Sequence, residues 1–260
     1  MHITYSIVVF ILGAVIGSFL NVCIYRIPRK KSIIRPSSAC PACEKPVRFY
    51  DNIPLVSYLV LKGKCRDCGA GISFRYFLVE LITAVIFTMI YRRWGLSYEF
   101  FIQIFFTAIL IAISFIDYDF QIIPDILSIG GMVAGLIISF FRPGFRVMDA
   151  VYGVLVGGGV LFIIAYGYQL ITKREGMGGG DIKLLAMIGS FSGFKGVLFS
   201  LIGGSVVGTL IGIPLMLMKG KGEGTRYAIP FGPFLSICAV MYLFFGPGVI
   251  HAFNTLFLHR

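Results

Sequence analysis

The sequence predicts an all-α, polytopic membrane protein with about eight transmembrane helices and one small cytoplasmic insertion. Three observations predict it. The 260 residues are 57% hydrophobic and only 13% charged, with a mean hydropathy of +0.89, and polar surface could not cover such a chain in water. Apolar stretches recur at lengths near the ~17–25 residues that cross a bilayer. A single charged segment rich in Pro and Cys, residues 26–75, interrupts them.

The elements follow in order. Residues 1–25 contain no Lys, Arg, Asp or Glu and hold the first span. Their start, MHITYSIVVF, lacks both the basic region and the small-residue cleavage site of a signal peptide, so it reads as a retained helix. Residues 26–75 form the insertion. Residues 76–260 form a helical bundle, with apolar stretches near 76–91, 99–117, 124–141, 149–172, 182–194, 196–218 and 228–251. The 182–194 stretch is short and reads as a half-length helix. Glycines four apart, at Gly13/Gly17, Gly131/Gly135, Gly153/Gly157 and Gly204/Gly208/Gly212, allow helix backbones to approach closely in lipid.

The formal net charge of +11 could mark a nucleic-acid binder, but its distribution argues for topology instead. The insertion holds 11 Lys and Arg. If it is cytoplasmic, Lys173, Arg174, Lys183, Lys219, Lys221 and Arg226 fall on the same side. Only Arg92, Arg93, Arg142, Arg146, Lys195 and Arg260 fall opposite. Cytoplasmic loops collect Lys and Arg, so both termini are expected outside and the insertion inside. The expected partner is lipid, with no nucleic acid.

Within the insertion, CPAC (40–43) and CRDC (65–68) form two Cys-x2-Cys pairs separated by 21 residues. Each pair can make a tight knuckle, and two knuckles make a tetrahedral thiolate cage for Zn²⁺ from Cys40, Cys43, Cys65 and Cys68. Four thiolates leave no open coordination position, so the zinc is expected to be structural. Arg48, Lys62, Lys64 and Arg66 are near enough in sequence to offset its surplus negative charge. No thioredoxin-like pattern surrounds either pair. Cys23 and Cys238 lie in apolar stretches and read as core.

The acids cluster at predicted membrane boundaries, where a carboxylate is costly and therefore a functional candidate. Asp117, Asp119 and Asp125 flank one turn, and Glu175 and Asp181 flank another. Taken singly, Asp181 could cap a helix starting at Ile182, and Asp119 and Asp125 could serve the turn at Pro124. Two carboxylates brought together near lipid cannot both ionise cheaply and share a proton. One can then act as general base on water while the other donates to a scissile carbonyl, which is aspartic-protease chemistry. Gly178, Gly179 and Gly180 carry no side chains to block an extended peptide from reaching Asp181. The histidines, at 2, 251 and 259, are all expected near the outer face. Ser192-x-x-Lys195 is too short a match to define a serine–lysine dyad.

These motifs resemble the type IV prepilin peptidases over nearly the whole chain. GSFLNVCIYRIP (17–28) is similar to the family's first boundary motif. The CPAC to ISFRYFLVELITA region (40–84) is similar to its cysteine insertion and second helix. IDYDFQIIPD (116–125) and EGMGGGDIKLLAMIG (175–189) resemble its two aspartate motifs, the second carrying G-x-G-D at Gly178–Asp181. The resemblance implies an eight-helix aspartic protease of the bacterial inner membrane, with Asp117 and Asp181 as the catalytic pair. It would cut the basic leader from prepilins or pseudopilins after a glycine, on the cytoplasmic side. Relatives with the insertion also use S-adenosylmethionine to methylate the new N-terminal residue, usually phenylalanine. The cofactor region it implies lies around Gly17, Asn21, Arg26, Asp51, Asn52 and Pro54. The competing reading is a zinc-stabilised transporter or scaffold with a carboxylate proton relay. Transporters place ionisable groups near the midplane, whereas here only Glu80 sits inside a span.

Overall fold

The computed structural model describes residues 2–173, 178–218 and 230–257, and among them the fold is helical without strands. The elements are α1 (His2–Arg26), a 3-10 turn (Phe49–Asn52), α2 (Val56–Val60), α3 (Phe74–Trp94), α4 (Tyr98–Phe120), α5 (Asp125–Ser139), α6 (Val147–Thr172), α7 (Gly179–Met218) and α8 (Gly232–Phe257). Local signals set several ends. Ser73 caps α3 by accepting from the Arg75 N–H, and Gly95 ends it at a positive φ of 63°. Pro124 precedes α5 in an extended conformation.

Among the described residues five helices, α1, α3, α4, α6 and α7, are long and apolar enough to cross a membrane. The sequence predicts about eight spans, and the difference has physical sources. α5, at 15 residues, is shorter than a span, whereas α8 runs 26 residues from Gly232 to Phe257. The predicted stretches 182–194 and 196–218 join in α7, 40 residues long but broken at Gly193 (φ 66°, ψ −173°). That φ lies in the left-handed region that glycine enters without Cβ strain. Just before the break, the Arg142 guanidinium donates to the Phe191 carbonyl.

The chain divides into two compact units, residues 1–112 and 113–260, with the boundary inside α4. In the first unit α1 packs on α3. A Cβ built on Gly13 would lie 2.6 Å from the Ala84 Cα, and one on Gly17 would lie 2.7 Å from the Glu80 Cα. These glycines bring the two backbones together, as their spacing predicts. In the second unit α7 packs against α5, α6 and α8. Gly153 of α6 and Gly189 of α7 meet backbone to backbone.

Candidate active site and metal centre

The second unit brings two of the predicted aspartates together. Asp117 lies in the last turn of α4 and is only 6% exposed. The backbone N–H of Gly232, at the start of α8, donates to its Oδ2 at 2.9 Å. Asp181, half-buried in the first turn of α7, lies close enough to feel the charge of Asp117. Ile123, in the link between α4 and α5, lies against Gly180, the residue before Asp181, and against Gly232, the donor to Asp117. A Cβ on Gly180 would lie 2.9 Å from the Ile123 Cβ. A Cβ on Gly232 would lie 2.7 Å from Asp117 Oδ2 and 3.4 Å from Ile123 Cδ1. Side chains at these two glycines would therefore crowd the carboxylate and its apolar neighbour.

The other acids go elsewhere. Asp119 is exposed, because two residues along a helix rotate a side chain about 200° from Asp117. Asp125 pairs with Lys183 Nζ at 2.6 Å, tying the start of α5 to the first turns of α7. α7 begins at Gly179, so Asp181 sits inside its first turn and does not cap a helix starting at Ile182. Gly178 is exposed, and a Cβ on Gly179 would meet nothing within 4 Å. Ser192 donates its hydroxyl to the Ile188 carbonyl of its own helix, while Lys195 is exposed, so no dyad forms there. Glu175, His259, Lys219, Lys221 and Arg226 fall outside the described residues, as do the side chains of His2 and His251.

The first unit builds the cysteine centre. Two knuckles repeat one backbone pattern. The Cys40 N–H donates to the Lys45 carbonyl and the Glu44 N–H to the Cys40 carbonyl. The Cys65 N–H donates to the Ala70 carbonyl and the Gly69 N–H to the Cys65 carbonyl. Bridges Ala39–Pro46 and Lys64–Gly71 close the two knuckles at equivalent positions. All four Sγ atoms lie within 4.8 Å of one another, and Cys40 Sγ is 3.8 Å from Cys68 Sγ. A tetrahedron with metal–sulfur bonds of about 2.3 Å has edges of about 3.8 Å, so the donor set fits zinc in type and size. The N–H groups of Cys43 and Ala42 hold the Cys40 thiol down to about 6. Cys68, although it receives the Ala70 N–H, is pushed up to about 12 by desolvation and by the thiols of Cys65, Cys43 and Cys40. Four such thiols cannot all ionise without a cation among them.

Arg66, between the cysteines of the second knuckle, grips Asp51 in a bidentate pair with a shortest distance of 2.7 Å. That partner holds the Asp51 carboxyl below the usual aspartate range. Arg48 donates to the Tyr50 hydroxyl at 2.8 Å and pairs with Asp67 at 3.5 Å. Arg48 and Arg66 thus have local acidic partners.

The predicted cofactor residues separate into three places. Gly17 and Asn21 lie one turn apart on α1, facing α3, where Asn21 Nδ2 donates to the Tyr76 carbonyl at 3.0 Å. Arg26 donates to the Ser32 and Pro36 carbonyls at 2.9 and 2.7 Å. Asp51 and exposed Asn52 close the 3-10 turn, and half-buried Pro54 follows it. One observation fits a polar group near α1: Asn21 Oδ1 is buried without a hydrogen-bond partner. Sequence reasoning missed Gly232 and Ile123, for which no spacing signal existed. It noted Glu80 only as an acid within a span. Buried Glu80 in fact accepts the Leu55 N–H at 2.7 Å, and Leu55 has a positive φ of 63°.

The apolar helices, the paired carboxylates and the four-cysteine cluster define a multi-pass membrane protein with an acidic site and a metal-type centre. Sequence profiles narrow this class. That of the Bacterial Peptidase A24 N-terminal domain matches residues 11–94, and that of the Type IV leader peptidase family matches residues 104–213. The chain belongs to the type IV leader peptidase family, and is therefore an enzyme of the peptidase class. A prepilin leader peptidase/N-methyltransferase of Pseudomonas putida is 35% identical over 91% of this chain and 89% of its own length. Proteins of the same name from Neisseria gonorrhoeae (33% identical, 96% of this chain and 93% of the relative) and Myxococcus xanthus (38%, 84% and 65%) are also similar. No solved structure matches.

Proposed function

We propose that the protein cleaves the leader from type IV prepilins or pseudopilins with Asp117 and Asp181, and then N-methylates the new terminus. The observation that carries the reading is the pairing of buried Asp117, bonded to the Gly232 N–H, with Asp181 at the start of α7. One carboxylate takes a proton from water as it attacks the scissile carbonyl. The other, protonated, donates to the carbonyl oxygen, and the proton taken from water passes to the leaving amine. The glycines before Asp181 leave room for an extended peptide, and Gly178–Gly180 would line it. S-adenosylmethionine supplies the methyl group, and Gly17, Asn21, Arg26, Asp51 and Asn52 are the residues assigned to it. The unpartnered Oδ1 of Asn21 favours the α1 end of that set.

The organisation proposed with this function is a first helix at 1–25, a zinc insertion at 26–75 and a protease bundle at 76–260. In this arrangement α5, α8 and the two parts of α7 each cross, giving eight spans in the bacterial inner membrane. Cys40, Cys43, Cys65 and Cys68 would hold a structural Zn²⁺. The positive charge of the insertion favours a cytoplasmic location for it and for the active site. The test is mass spectrometry of a prepilin co-expressed with the wild type or with Asp181→Asn, scoring leader loss and methylation separately. Leader loss with folded Asp181→Asn at the wild-type level overturns the reading.

A further inference from the structure

The insertion carries an apolar face that neither the catalytic nor the metal reading uses. On α2, Val56, Leu59 and Val60 are 52%, 63% and 67% exposed. Their i, i+3, i+4 spacing puts them on one side of the helix. The other side is committed. Ser57 is buried, accepting the Ile53 N–H at 2.9 Å and donating to the Tyr50 carbonyl at 3.0 Å. Tyr58 packs against Phe77 and Phe74 of α3, with ring centroids 5.4 and 6.2 Å apart.

Two contacts fix the depth of that face. α3 has 21 residues, so at 1.5 Å per residue it is about 31 Å long, close to the ~30 Å hydrocarbon core. Phe77 lies in its first turn. Glu80 is the seventh residue, about 9 Å in from the start. Its carboxylate accepts the N–H of Leu55, the residue before α2, at 2.7 Å. α2 is therefore held beside the first two turns of a membrane-crossing helix. A water-facing position would leave three large aliphatic side chains in solvent at that depth. Lys62 and Lys64 follow directly, as basic residues do where an apolar helix face meets headgroups.

We infer that α2 lies in the bilayer interface with Val56, Leu59 and Val60 in the lipid, so that the insertion is anchored on the membrane surface. The partner is the boundary between acyl chains and headgroups, which a buried apolar face enters by about 5–10 Å. The inference does not depend on either proposed activity.

The test uses full-length Leu59→Trp in a Trp94→Phe background, which leaves one indole, in nanodiscs of phosphatidylcholine and phosphatidylglycerol. With acyl-chain-brominated lipid the emission should be blue-shifted and lose about half its intensity, because the ring sits within reach of the chains. Emission that is unaffected by bromine and freely quenched by iodide overturns the inference. Val60→Trp in the same background gives the same reading if Leu59→Trp is not monodisperse, and for it too bromine quenching supports the anchor and free iodide quenching overturns it.

Discussion

The cysteine centre and the aspartate site are built on opposite principles. All four cysteines come from one stretch of chain, and each pair is shaped by hydrogen bonds reaching no further than nine residues. The aspartate site draws on the end of α4, the start of α7 and the start of α8, and the bond from Gly232 to Asp117 spans 115 positions. A site made of local turns is written in its spacing. A site made by packing depends on which residues allow three helix ends to converge, and here those are glycines and Ile123. The first kind should tolerate changes in the bundle, and the second should tolerate changes in the insertion.

The sharpest way to break this contrast is at the carboxylates. Asp117→Asn and Asp181→Asn should each lower prepilin cleavage by about 10²–10⁴-fold, the usual worth of a positioned acid or base. The double variant should be little worse than either, because groups acting as a unit are non-additive. Asp119→Asn, exposed and turned away, should keep substantial activity. Leader removal by purified protein in detergent measures all four. Both variants should retain zinc, and Asp181→Asn should still methylate an already trimmed pilin; loss of both activities in a folded variant would merge the two sites. The wild-type rate should follow a bell in pH, reporting constants of the pair rather than of either residue.

Next in size is the reciprocal change. Cys65→Ser should remove most bound zinc, measured by metal analysis, and speed limited proteolysis within residues 26–75, since binding and folding of such a module are one process. Full zinc occupancy in that protein would rule the four-cysteine site out. A smaller effect is expected at the packed glycine. Gly180→Val should slow cleavage by driving a side chain into Ile123, while leaving zinc content normal. Adding Ile123→Ala should restore part of the rate; no restoration would mean that crowding at Ile123 is not the cause. The smallest effect belongs to Asp51→Asn. Its partner Arg66 keeps 43% of its side chain exposed although Asp51 keeps only 9%, so solvent screens one end of the pair and limits what it contributes. Proteolysis of the insertion at neutral pH should rise only slightly, and a collapse of zinc binding would show the pair to be structural to the cage.

Much of this was legible in the sequence, for identifiable reasons. Hydropathy marked every long helix, and the glycine pairs marked real contacts at Gly13, Gly17 and Gly153. The cysteine pairs closed as their spacing required. Asp117 could not be told from Asp119 by spacing, and only the family resemblance favoured it. Burial separates them, since two residues on a helix face different ways. Gly232 was invisible because nothing in its neighbourhood points to a partner 115 positions away. The pairing of Asp51 with Arg66 was not legible either, because it follows from the fold of the insertion rather than from any motif.

The break at Gly193 has a consequence for the parity of the chain. Forty helical residues would run about 60 Å if unbroken, roughly twice the bilayer core. In the eight-span arrangement proposed above, where each part of α7 crosses, the side on which the chain emerges after residue 218 therefore turns on one backbone conformation. A reporter fused beyond α7 would change sides if that single residue became helical, with no change in either cluster of reactive side chains. In that arrangement Gly193 acts on the odd or even count of crossings, a property of the whole thread that no individual contact carries.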